Sequence, residues 1–141
     1  MSMVTPPDIE LWLCEYLRSN IKDVAGLQVG NREPEDYRGE RPLIVVRDDG
    51  GGQSNRIIFD RSVGVTIRGW TRSNSKPCAD LARRVYALLT ADPEILQGFA
   101  EGSPILAIDE FGCNGPYPVT EDADIARYYM TVEYVAAGDI L

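Results

Sequence analysis

The chain has 141 residues and a net charge of −8, from 14 basic and 22 acidic side chains, and it contains no histidine. This length predicts one domain, residues 1–141, that can bury a core without a metal ion or disulfides. The acidic balance argues against a nucleic-acid-binding surface, and the absence of histidine excludes imidazole-based triads and most zinc sites.

The first part of the chain predicts a helix followed by a charged loop. Thr5 can serve as the N-cap, and apolar side chains recur from Ile9 to Leu17 at the spacing of one helical stripe. Gly26 ends this region. Residues 30–41 are charged and carry Tyr37 as their one aromatic side chain, which is typical of a solvated loop.

A long β-hairpin is predicted next. Residues 42–46 form a short apolar run with β-branched side chains, which favours a buried strand, and Asp48, Asp49 and the glycines Gly50, Gly51 and Gly52 interrupt it. The chain resumes in extended form over residues 56–71, where apolar and other side chains alternate with a period of two. We therefore expect an antiparallel pair of strands with a glycine-rich tip that could reach a neighbouring molecule.

The second half predicts another helix and two more strands. Residues 73–75 offer N-caps for a helix with an apolar stripe from Leu81 to Leu89, and a short helical turn through Phe99 follows. We expect a third strand over residues 105–111, a turn-rich loop over 113–124 that contains Glu121 and Asp122, and a last strand over 125–136. Tyr128 and Tyr129 would lie on opposite faces of that last strand.

These elements predict an α+β domain with two layers. The order would be helix, strand, strand, helix, strand, strand. Each helix has one apolar stripe, and both stripes must be buried against the same sheet. We therefore expect a mostly antiparallel four-stranded sheet with both amphipathic helices on one face.

No set of side chains predicts catalysis. Asp48 with Asp49, and Glu121 with Asp122 and Asp124, could together surround a divalent cation, but neither group has the spacing of a calcium loop. The three cysteines contain no paired motif and are interpreted as reduced thiols. We predict no catalytic residue, metal or cofactor, and no membrane partner, because no apolar run could span a bilayer and no secretion signal is visible. A small carboxylate- or metal-dependent enzyme, or a ligand-binding domain, remains the alternative.

The order of several short segments resembles one protein family. These segments are Pro7-Asp8-Ile9-Glu10, Arg41-Pro42-Leu43-Ile44-Val45-Val46, Gly50-Gly51-Gly52, Phe59-Asp60, Ala79-Asp80-Leu81-Ala82-Arg83-Arg84-Val85, Gly115-Pro116 and Arg127-Tyr128-Tyr129-Met130-Thr131-Val132. Together they extend over residues 7–137, and the chain resembles the tail terminator (tail completion) proteins of long-tailed bacteriophages and related prophages.

The resemblance implies a structural protein without turnover. It implies a hexameric ring of identical subunits that caps the tail tube at its final length, and that presents the surface on which the connector of the filled head docks. The partners would be other copies of the chain, the tube protein and neck proteins, at the head-proximal end of the tail in the virion and in the host cytoplasm during assembly. A head-closure or adaptor protein of the phage neck is the alternative within this setting.

Loops at the ends of elements face neighbours in a ring, so we expect the contacts there. The candidate interface residues are Tyr37, Asp48, Asp49, Gly50, Gly51, Gly52, Glu121, Asp122 and Tyr129. DNA would be only a passing cargo, and the excess acidity suggests a channel wall that does not bind the duplex.

Overall fold

Two α-helices, one 3-10 helix and eight strands make up the part of the chain that the computed structural model describes, residues 3–91 and 103–140. In chain order these are β1 (Val4–Thr5), α1 (Ile9–Asn20), β2 (Gln28–Gly30), β3 (Leu43–Gly50), β4 (Ile58–Gly69), α2 (Lys76–Leu89), β5 (Ile105–Ile108), the 3-10 helix (Glu110–Gly112), β6 (Asn114–Pro118), β7 (Ala126–Ala137) and β8 (Asp139–Ile140). The helical turn predicted through Phe99 lies outside the described residues.

The main sheet is built around the long pair β4 and β7. Its strand order is β2-β3-β4-β7-β5, and β6 also pairs with β7, on a different stretch from β5. Strands β4 and β7 stay in register over their full length, from Ile58 opposite Ala137 to Gly69 opposite Ala126. All pairings in this sheet are antiparallel except β2 with β3, and β1 and β8 form a separate two-stranded sheet.

Both helices share one core with the sheet. The inward positions of β4 are Val63, Val65 and Ile67, which are fully buried, and the buried side chains of α1 and α2 belong to the same apolar cluster. This follows from the two periodicities, because alternate strand positions and a helical stripe each produce a single apolar face. Neither helix is long and apolar enough to cross a membrane, within the residues described.

Two tyrosines hold the end of α2 against the rest of the core. The Tyr16 hydroxyl of α1 donates to the Leu88 carbonyl at 2.9 Å, and the Tyr134 hydroxyl of β7 donates to the Leu89 carbonyl at 2.5 Å. The last carbonyls of a helix lack partners within the helix, so these two bonds satisfy groups that burial would otherwise leave unpaired.

The predicted fold class is confirmed, but the predicted four-stranded sheet and element order are wrong. The main sheet has six strands, because β2 and β6 join it. Strand β2 is only three residues long, too short to show an alternating pattern, and β6 contains Pro116 and Pro118, which indicated a turn-rich loop. Sequence periodicity detects long strands and misses such short edge segments.

Several predicted boundaries also differ. Strand β3 continues through Asp48 and Asp49 to Gly50, where a bulge shifts its register against β4, so the acidic pair lies within the strand. Strand β5 ends at Ile108, because the Asp109 carboxylate accepts a hydrogen bond from the Phe111 amide and turns the chain into the 3-10 helix. The N-cap of α1 is Asp8 rather than Thr5, since Thr5 pairs with Asp139 in the small sheet.

Candidate interaction surface

The sheet face opposite the helices, here called the open face, carries polar and aromatic side chains. On β4 and β7 it consists of the alternate positions that point away from the core, and most of them are partly exposed. These positions are Ser62, Gly64, Thr66, Arg68, Arg127, Tyr129, Thr131 and Glu133. Two groups of side chains are organised on this face, one over Gly64 and one around Arg68.

Gly64 makes room for the first group. A Cβ atom at this position would overlap the Tyr129 hydroxyl and would lie 2.7 Å from an Asp49 carboxylate oxygen. Asp49 binds the Arg47 guanidinium at 2.9 Å, and this hydrogen bond raises the pKa of Arg47. The Tyr117 ring meets the Tyr129 ring edge-on, with 5.9 Å between centroids. A glycine on a strand thus lets an aromatic side chain and a carboxylate meet close to the backbone.

Arg68 organises the second group and fastens two loops to the sheet. Its guanidinium forms ion pairs with Glu33 of the 31–41 loop and with Glu121 of the loop after β6. Glu121 also lies 3.8 Å from the Arg127 guanidinium. The Arg68 guanidinium stacks over the Tyr37 ring at 5.1 Å. Only 12% of the Arg68 side chain is exposed, so these contacts are shielded from solvent far better than ordinary surface pairs.

Tyr37 is held in the same group by its hydroxyl, which donates to the Arg41 carbonyl at 2.6 Å. Burial raises the pKa of the Tyr37 phenol to about 12. The loop that sequence patterns describe as solvated is therefore folded onto the sheet at this point, through one aromatic ring and one ion pair.

Asp48 and the glycine-rich segment belong to neither of the two groups on the open face. The Asp48 amide donates to a Glu10 carboxylate oxygen at 2.7 Å, which covers part of the free edge of β3, and its own carboxylate lies 3.7 Å from Arg61. Gly52 accepts a hydrogen bond from the Asp60 amide at 2.8 Å. The antiparallel hairpin is confirmed, and its exposed tip is hydrogen-bonded back to β4.

The structure thus brings together two pairs of the predicted residues. Asp49 meets Tyr129 over Gly64, and Tyr37 meets Glu121 through Arg68, whereas Asp122 is simply exposed. The two groups are four residues apart along β4, roughly 14 Å at the usual rise per residue. The alternative of one metal held by both acidic clusters is therefore not what the geometry provides. No group of three or more histidine, cysteine or carboxylate side chains is placed to hold a metal within residues 3–91 and 103–140.

The cysteines are structural in this arrangement. Cys14, Cys78 and Cys113 are all free thiols in the structure. Cys78 is fully buried, its thiol lies 3.6 Å from the Ile67 carbonyl, and burial raises its pKa to about 12. A thiol with so high a pKa is protonated at neutral pH and is a poor nucleophile.

Sequence reasoning missed the residues that organise the open face. Arg68 forms its ion pairs with residues on distant loops that no local pattern connects to it. Gly64 carried a signal that could have been used, because a glycine inside an alternating strand often marks a close approach. Phe111, predicted as the end of a strand, is fully exposed at a turn.

The two edges of the sheet differ in charge. Residues 103–125, which contain β5, the 3-10 helix and β6, include five acidic residues and no basic residue. Residues 18–47, which contain β2 and its flanking loops, include six basic and five acidic residues. Of the five acidic residues, Asp109 and Glu110 lie beside β5, whereas Glu121 is folded onto Arg68. The segment that carries β5 and β6 is therefore acidic, and the segment that carries β2 is nearly neutral and rich in arginine.

Comparison with known proteins does not assign the chain to a family. No protein-family model matches the sequence, and a search of curated proteins found no match either.

Proposed function

We propose that this chain is the structural subunit of a ring that caps a phage tail tube, ends its elongation and provides the surface for joining the head. The proposal starts from the resemblance to tail terminator proteins over residues 7–137. In this role the chain acts by self-association, and its partners are further copies, the tube protein and the neck proteins. A hexamer is the expected form of the ring.

The observation that carries the proposal is the difference between the two edges. A ring of identical subunits needs heterologous contacts, in which one surface of a subunit binds a different surface of the next. The acidic segment that carries β5 and β6 and the arginine-rich segment that carries β2 lie at opposite ends of the strand order. Two acidic segments would repel each other, whereas an acidic segment can meet the arginine side chains near β2, so these charges favour head-to-tail association over symmetric pairing.

The open face supports the proposal in a second way. Interfaces are enriched in tyrosine and arginine, and the side chains gathered over Gly64 and around Arg68 include Tyr117, Tyr129 and Arg47. Arg68 holds two long loops in fixed positions, which lowers the entropy lost when such loops contact a partner. We expect neighbouring subunits or neck proteins to contact these loops.

The test is direct observation of the assembly. Native mass measurement of the purified protein, with electron microscopy of the protein and of tails, should reveal hexameric rings and rings at the head-proximal ends of tubes. Pull-down with tube and portal proteins separates the two virion roles. Retention on tubes supports a terminator, whereas retention on the portal alone would indicate a head-closure or adaptor protein. A protein that stays monomeric at every concentration and on every target would contradict the proposal.

The acidic composition leads to a hypothesis about the passing DNA. If acidic side chains line the ring, they would repel the duplex and keep it from binding the wall. Replacing Asp or Glu residues at the lumen by Lys should then slow DNA ejection, measured as dye release from filled particles. Unchanged ejection kinetics would argue against this role.

The metal-dependent alternative has its own test. A protein that binds Mg²⁺, Mn²⁺ or Ca²⁺ only when folded is stabilised by that ion through mass action. Thermal unfolding with and without each ion should show no shift if the chain acts by assembly alone.

A further inference from the structure

Asn114 is the single asparagine of the chain that a glycine follows. The other four, Asn20, Asn31, Asn55 and Asn74, precede isoleucine, arginine, arginine and serine. Asparagine is chemically labile, because the backbone nitrogen of the next residue can attack its side-chain amide carbon. A Cβ atom on that next residue hinders the approach and restricts the backbone, and glycine has none. Asn114 therefore has the most reactive sequence context among the asparagines.

The structure places this pair where β6 leaves the regular ladder. Asn114 is exposed and lies opposite Thr131, but the register against β7 shifts between Asn114 and Tyr117. Gly115 lies within this shift with a φ of +112°, a backbone conformation that residues with a side chain rarely adopt. A register shift leaves residues unpaired and disrupts the ladder locally, so this segment constrains the pair less than a regular strand would.

Hydrogen bonds distinguish Asn114 from three of the other asparagines. The side-chain amides of Asn20 and Asn31 donate hydrogen bonds at 2.8 Å and 3.1 Å, and the Asn55 side-chain oxygen accepts two from backbone amides at 2.9 Å. Within residues 3–91 and 103–140, the Asn114 side chain forms no such bond. Its carboxamide can therefore rotate toward the Gly115 nitrogen without breaking a contact.

We propose that Asn114 is a site of spontaneous deamidation in the folded protein. The Gly115 nitrogen attacks Cγ of Asn114, an N–Cγ bond forms, and the Cγ–Nδ2 bond breaks. The amide proton leaves with the side-chain nitrogen as ammonia, and a cyclic succinimide remains. Water then opens this ring at either carbonyl carbon. Addition at Cγ gives aspartate, and addition at the backbone carbonyl carbon gives isoaspartate, in which the main chain runs through Cβ and Cγ.

The modification changes the surface around β6. Either product adds a carboxylate to residues 103–125, which already contain five acidic residues and no basic residue. Isoaspartate also lengthens the main chain by a methylene carbon at the position opposite Thr131. The β6–β7 pairing that holds the Tyr117 ring against the Tyr129 ring should then weaken. This inference does not rest on the proposed ring, because the reaction occurs within a single copy of the chain.

Mass spectrometry of the aged protein tests the reaction. The purified chain is incubated over days at neutral and at mildly alkaline pH, digested, and compared with a sample digested at once. We expect the Asn114 peptide to change in mass by the replacement of an amino group with a hydroxyl group, and to separate into aspartate and isoaspartate forms, faster at the higher pH. The peptides with Asn20, Asn31, Asn55 and Asn74 are internal controls and should stay unchanged. An unmodified Asn114, or equal conversion at every asparagine, would overturn the proposal.

Variants at position 114 separate the reaction from its consequence. Asn114→Gln keeps a carboxamide but must close a larger ring, and we expect conversion to fall about tenfold or more. Conversion of this variant at the wild-type rate would show that ring closure onto Gly115 is not the route. Gly115→Ala is unsuitable, because its Cβ atom would lie 2.9 Å from the Tyr129 carbonyl oxygen.

Hydrogen exchange measures the effect on β6. Asn114→Asp reproduces only the added charge, so exchange in residues 114–118 should match that of the fresh wild-type chain. The isoaspartate form, separated from the aged sample, should exchange faster in the same residues. Equal exchange in both forms would contradict the weakening of the β6–β7 pairing.

Discussion

Alternate residues of the same two strands, β4 and β7, form the two faces of the sheet, and these faces differ in burial and in chemical character. Toward the helices, Val63, Val65 and Ile67 are fully buried in one apolar cluster. On the open face, Gly64 and Arg68 position side chains from distant segments. One strand thus stabilises the domain on one side and arranges loops on the other. The difference teaches that a residue's face, rather than its element, decides its role.

Substitutions at two neighbouring positions on β4 should give the largest difference in stability between the two faces. Ile67→Ala removes a fully buried side chain, and we expect a loss of about 3 kcal/mol in the free energy of unfolding, from lost transfer energy and the remaining cavity. Thr66→Ala, one residue away on the open face, should cost less than about 1 kcal/mol. Urea unfolding followed by circular dichroism measures both. Equal losses would mean that the open face is covered in solution.

Arg68 should show the next largest effect. Arg68→Met removes the ion pairs with Glu33 and with the shielded Glu121, which retains Arg127 at 3.8 Å, and we expect a loss of about 2 kcal/mol in stability. The matched control is Arg83→Met, which removes an exposed pair with Asp80 and should change stability by no more than about 0.5 kcal/mol. Hydrogen exchange should also become faster in residues 119–124 of the Arg68 variant. Unchanged exchange there would contradict the role of Arg68 in fastening this loop.

Substitution of Gly64 should change stability less, and the sign of the change should depend on whether Tyr129 is present. Gly64→Ala places a Cβ atom against the Tyr129 hydroxyl, and we expect a loss of about 1 kcal/mol. In a Tyr129→Ala background the same change should be neutral or stabilising, because the close contact that remains is the movable carboxylate end of Asp49 at 2.7 Å, and alanine restricts the unfolded chain more than glycine does. Gly52→Ala is the control, since nothing lies within 4 Å of its added Cβ atom. The same loss in both backgrounds would show that Tyr129 does not lie over Gly64.

We expect the smallest effect on stability at alkaline pH, where Tyr37 on the open face and Tyr134 on the covered face should ionise differently. Folding raises the pKa of Tyr37 from 10.0 to about 12 by burial, so the folded state keeps a proton that the unfolded state loses in that interval. This contribution is complete below pH 10 and is lost as the pH rises toward 12. Tyr37→Phe should therefore lose less stability than the wild-type chain between pH 8 and pH 11. Parallel curves would show that Tyr37 is solvated.

Tyr134 provides the comparison on the covered face. Its pKa is raised well above 10.0 by burial, and its hydroxyl is bonded to the Leu89 carbonyl. We expect Tyr134 to ionise only when the domain unfolds, so its absorbance change should coincide with the loss of circular dichroism. Ionisation of Tyr37 should begin at a lower pH than that transition.

The long elements could be predicted because their apolar patterns are local. Helices α1 and α2 and strands β4 and β7 each repeat a spacing over twelve or more residues, which gives the α+β class and the shared core. The three-residue strand β2 and the proline-containing strand β6 could not be predicted in the same way. Their pairing depends on neighbours far away in the chain.

The features of the candidate interface can also be divided into those that the sequence determined and those that only the tertiary structure decided. The sequence alone determined the charge imbalance between segments and the absence of histidine chemistry, since neither depends on which residues meet. Tertiary structure decided that Arg68 joins two loops and that Asp49 and Tyr129 come together over Gly64. Such contacts link residues that are dozens of positions apart, and only the pairing order of the strands brings them together or keeps them apart.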